Sequence, residues 1–158
     1  MSDAPGDYAT LLRNAYLDEV RGAAYFGALA TEQPDAKRRE KLETLQTVEA
    51  RTVTTMDRLL GQVGLKVDSN RARQQGRELA QSARAADWDE LIANLRATLP
   101  HELPKFEQLR DLSSRPDDPA IRALVNHARA IERFLELEAA GDEGKSLRPL
   151  TDHLRKPA

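Results

Sequence analysis

KLETLQTVEARTVTTMDRLL, residues 41–60, decides the fold. Leu42, Leu45, Met56 and Leu59 recur in it at steps of three and four, the spacing that lines one face of an α-helix. The same stripe passes through Glu49 and Thr52 and continues to Val63. Upstream, Pro34 closes a preceding helix and Asp35 offers a side-chain oxygen to the first free amides of this one. Downstream, Gly61 and Gly64 stop it. The helix therefore spans about 36–60.

Working outward, the pattern recurs three times. A first helix covers about 8–31, with Asp7 as its cap, and a third covers about 88–112, capped by Asp87. Pro100 and Pro104 fall inside the third and should kink it, because proline removes a backbone donor. A fourth runs over about 119–140, opened by Pro119 and closed before Gly141. Residues 61–87 read as a long connection, polar over 65–86 and carrying a short helix with a weak pattern through Ala72, Leu79 and Ala83. Residues 146–154 form a short last helix whose Leu147, Leu150 and Leu154 pack back. The expectation is an all-α chain, residues 1–158 forming one domain. It is a four-helix bundle with a long crossover between the second and third helices and a short C-terminal helix.

Composition narrows the function. Of 158 residues, 24 are Lys or Arg and 26 are Asp or Glu, for a formal charge of −2, which argues against a nucleic-acid partner. Without cysteine, disulfides, thiolate catalysis and cysteine-held metal clusters are excluded. No apolar run approaches the ~18 residues of a membrane span. The N-terminal residues lack the basic and apolar regions of a signal peptide, so a cytoplasmic, membrane-free protein is expected. Lys37, Arg38 and Arg39, offset by Asp35, Glu40 and Glu43, read with Lys41 as a solvated helix start.

Three stripes carry a residue of the wrong polarity. The first helix reads Leu12, Tyr16, Glu19, Ala23, Phe26, Ala30. The second carries Glu49. The third reads Trp88, Ile92, Leu95, Leu99, Glu102, Phe106, Leu109. A carboxylate in a core is costly unless it is paired, protonated or bound to metal. One such glutamate reads as drift of the stripe to a half-solvated boundary; three near mid-height form a pattern. Tyr16 and Thr52, one turn away, offer hydroxyls that would satisfy it without metal. The fourth stripe, Ile121, Leu124, Val125, Ala128, Ile131 and Leu135, is apolar, with His127 and Glu132 about 100° to the side. His101 and His153 read as surface residues.

The segments YLDEVRGAAYFGALA (16–30), LETLQTVEART (42–52) and LVNHARAIERFLELE (124–138) resemble the ferritin-like superfamily, and within it uncharacterised bacterial ferritin-like proteins related to rubrerythrin-type domains. The resemblance implies a di-iron site with one glutamate from each of two helices and a Glu-x-x-His pair from each of the other two. It places single glutamates at Glu19 and Glu102 and a third at Glu49. Histidine is missing at Thr52 and Ile131, and glutamate at Ala128. The metal candidates are therefore Glu19, Glu49, Glu102 and His127, the site being degenerate. What this implies is a binding or structural module for an unknown small ligand, without a cofactor and with a homodimer as the assembly to look for. The alternative is an iron- or manganese-dependent oxidoreductase with an atypical site in the bundle core.

Overall fold

The structure, a computed structural model, describes residues 4–83, 86–99 and 102–157, with side chains from residue 8. Among them every regular element is a helix. These are α1 (Ala4–Glu32), α2 (Ala36–Gln62), α3 (Asn70–Ala83), α4 (Trp88–Thr98), α5 (Glu102–Leu112), α6 (Pro119–Ala139) and α7 (Arg148–Arg155). None is long and apolar enough to cross a membrane.

The starts follow the local chemistry. Asp35 accepts a hydrogen bond from the Arg38 amide at 2.9 Å, Asp87 from Glu90 at 2.7 Å, and Asp118 from Ala120 at 2.8 Å, each satisfying an amide that has no partner within its helix. Gly64 and Gly141, past the ends of α2 and α6, take φ of +72° and +84°, the left-handed region where a side chain costs most.

Four expectations from the sequence are corrected. The first helix opens at Ala4, so Asp7 lies within it and is no cap. The third helix, expected over 88–112, is two helices, α4 and α5; the Pro100 and His101 readings fall outside the described residues. The connection over 61–87 carries a helix, as the sequence indicates: α3, 14 residues long, packs along α1, but not by the face expected. Its buried face is Ala72, Gly76 and Ala80, while Leu79 is 51% exposed, because only small residues let α3 approach α1 so closely. Val63 closes the α2 stripe in solvent.

α1 lies against α2, α3 and α5, and α6 against α2, α4, α5 and α7. The side chains so covered form two apolar clusters. One gathers Phe26, Leu45, Ile92, Phe134 and Leu150; the other gathers Leu12, Met56, Phe106, Leu109 and Leu124. Burying each of the large residues contributes about 2 kcal/mol. α1 leaves the second cluster for the first after Val20, α2 leaves the first for the second between Val48 and Met56, and α6 crosses between Ala128 and Ala130. At those crossings stand Glu19, Glu49, Thr52 and His127, all buried.

Candidate metal centre

Glu19 on α1, Glu49 on α2 and His127 on α6 each offer a ligand atom, and the three atoms lie within 4.8 Å of one another. Glu49 is 4% exposed and His127 1%. His127 Nδ1 donates to the Leu124 carbonyl, which can only accept, so that nitrogen carries a proton. Nε2 is hydrogen-bonded to Glu19 Oε1 at 3.1 Å, so one proton lies between the two atoms, where a metal ion would replace it. The edge of the imidazole packs on Phe106, ring centres 4.8 Å apart, which fixes its plane. Glu49 Oε2 is buried without a hydrogen-bond partner.

A Cβ at Gly22 would rest in ordinary van der Waals contact with the carboxylate, 3.6 Å from Glu49 Cδ and 3.7 Å from Oε2, so the glycine leaves that side open to the cavity that it lines. Thr52 and Tyr16 supply nothing to the cluster. Thr52 donates its hydroxyl to the Val48 carbonyl at 2.9 Å, and Tyr16 turns to Asp57 and Ser69.

Glu102 sits apart from the trio, half-buried, with Oε1 accepting from Lys105 Nζ at 3.3 Å and Oε2 unpartnered. Burial pushes its carboxyl above the ordinary range; Lys105 opposes the shift, while Asp18 and Glu19 add to it. Lys105 also reaches Asp18 at 3.6 Å, and Asp18 accepts from Arg21 at 2.8 Å. Glu102 and the trio line one cavity of about 590 Å³ whose walls include Tyr25, Phe26, Leu95 and Ile131. It offers a small ligand an apolar wall and one charged corner.

Buried polar side chains lie elsewhere too, among them an ion pair and a histidine. Lys41, read as solvated, is buried and pairs with Glu138 Oε2 at 2.5 Å, while Trp88 Nε1 donates to Glu138 Oε1 at 2.8 Å. His153, read as a surface residue, is 8% exposed, held there by the docking of α7 on α6 and α2. The sequence carried one signal for the first of these, a tryptophan at a helix start, whose indole N–H needs a partner once buried.

No protein-family model, no curated protein and no solved structure matches the chain.

An unpartnered carboxylate oxygen in a core is a net cost when nothing binds it. Glu49→Gln is therefore expected to leave chelator-treated protein as stable as the parent, or more stable by about 1 kcal/mol. Thermal melts check this, and a clearly lower midpoint would assign Glu49 a structural hydrogen bond.

Proposed function

We propose that the protein is a ferritin-like bundle that keeps part of a di-iron site and binds one divalent metal ion, iron or manganese, with Glu19, Glu49 and His127. The observation that carries this reading is the buried Glu49 Oε2, which has no partner and lies in reach of Glu19 and His127. Helix order supports the bundle: α1, α2, the α4–α5 pair and α6 supply the four legs, and α3 lies in the crossover.

The donor set fits such an ion. Two carboxylates and one neutral imidazole, with no thiolate, suit iron or manganese, and two carboxylates neutralise its charge. The Leu124 carbonyl orients His127 in the way backbone acceptors orient metal-binding histidines. A second ion lacks ligands, since Thr52, Ala128 and Ile131 stand where the resemblance calls for histidine, glutamate and histidine. A bound ion would supply a Lewis acid beside the cavity. Phe26, Leu95 and Ile131 exclude water from that side, and Lys105 holds Glu102 at the cavity's charged edge. The chain thus serves as a binding module for a small ligand of this cavity.

Chelator-treated protein titrated with Mn(II), or with Fe(II) without oxygen, is expected to bind one ion per chain and to melt higher. The gain is about 2.7 kcal/mol when free metal is a hundredfold above Kd. Glu49→Gln and His127→Ala should lose most of it. Equal gains in parent and variants, or none in the parent, would overturn the assignment; two ions per chain would overturn the single site.

A further inference from the structure

A second cavity, of about 330 Å³, lies between α2, the first half of α6 and the end of α7. Arg51, Arg122, Lys156 and His153 line it together with Asn126, and no aspartate or glutamate does. Arg51 spends its donors on the Leu154 and Lys156 carbonyls, and Arg122 donates to the Asp117 carbonyl. Neither of these arginines, nor Lys156, has a carboxylate partner among the described residues. Buried His153 leaves Nδ1 without a partner. Pro119, the first residue of the 21-residue α6, lies on the rim; the Asp118 carboxylate already caps that helix, so the seat rests on its side chains and not on the helix end.

We propose that this cavity is a binding seat for a small oxyanion, the phosphate or carboxylate group of a small molecule. Three cations around one concave site, unopposed by acids, focus a positive potential that an anion relieves. Arginine and lysine match oxyanion oxygens as charge-assisted donors, Asn126 supplies a neutral amide, and His153 a ring nitrogen. Burial first, then the neighbouring His127, Arg51 and Lys156, lowers the His153 imidazole to about 4, so it enters neutral and donates through one nitrogen only. The seat does not depend on a metal at the carboxylate cluster, although Leu124, which lines the seat, also accepts from His127.

The test uses the full chain in chelator at constant ionic strength, with inorganic phosphate, acetate and chloride compared. Phosphate is expected to raise the melting temperature and to move the His153 imidazole resonances saturably, acetate less so, chloride not at all. Arg122→Gln combined with Lys156→Gln removes two exposed charges without touching the core and is expected to weaken phosphate binding at least tenfold. Acetate binding more tightly than phosphate would also support the seat and assign it to a carboxylate. Phosphate shifting parent and variant alike, or moving His153 no more than chloride does, would overturn it. Should the double variant melt much lower than the parent without ligand, the His153 resonances of the parent decide alone.

Discussion

Lys41→Met is expected to lower the stability of the protein by about 3 kcal/mol at neutral pH, the loss seen when one member of a buried ion pair is removed. Glu138 is left with the neutral donors Trp88 Nε1 and Ser146 and keeps a charge that the interior cannot solvate. The stacking of Arg38 on Trp88, 5.5 Å from the ring centre, does not replace the ammonium, because it reaches the indole and not the carboxylate. Pairing Lys41→Met with Glu138→Leu should recover much of the loss, since the stranded charge is then gone. The pH dependence has a definite sign. Burial raises the Glu138 carboxyl, and Lys41, Ser146 and Trp88 outweigh it, holding it below its ordinary 4.5. A depressed carboxyl stabilises above its unfolded value and loses that contribution as pH falls through the folded one. The gap between parent and variant should therefore be full at neutral pH and narrow below about pH 4.5. Urea melts across that range check both statements, and a gap independent of pH would show that Lys41 stabilises by packing alone.

Gly76→Ala should cost about 3 kcal/mol through overpacking. A Cβ there would be driven into the Arg21 backbone carbonyl, with Ala24 Cβ at 2.9 Å and the Tyr25 amide nitrogen at 3.1 Å. Backbone cannot yield as a flexible side chain can, so α3 must lift from α1. About 1 kcal/mol returns from the better helix propensity of alanine. Gly61→Ala is the control: its Cβ would meet nothing within 4 Å, so only the propensity gain remains. Denaturant midpoints should move in opposite directions in the two variants.

Much of the helical layout was legible because it is local. Caps at Asp35 and Asp87 and the three-four stripes of α1, α2 and α6 depend on neighbours within a few residues. The third stripe kept its phase from α4 into α5, since Phe106 and Leu109 are fully buried; Glu102, at the first residue of α5, ends at the cavity edge beside Lys105. His127 was placed to the side of the α6 stripe, and that angle is right. The angle alone does not give its burial, because α6 is covered by α2, α4, α5 and α7, and a helix with neighbours on several sides buries more than one stripe. Lys41 and Glu138 are 97 residues apart, and each reads as an ordinary surface charge until the fold brings them together. His153 was hidden likewise, in a helix of eight residues whose burial comes wholly from what it docks on.

The polar layer at mid-height governs how the molecule opens. Its two apolar clusters meet across carboxylate and imidazole instead of hydrocarbon, so they share little dispersion contact and couple weakly in energy. Each half of the bundle then behaves as its own unit of local unfolding, with α1, α2 and α6 as the continuous rods between them. Amides on those rods next to Glu19, Glu49 and His127 should exchange through smaller openings than amides beside Phe26 or Phe106. An ion held by residues from all three rods would fasten the halves into a single cooperative body.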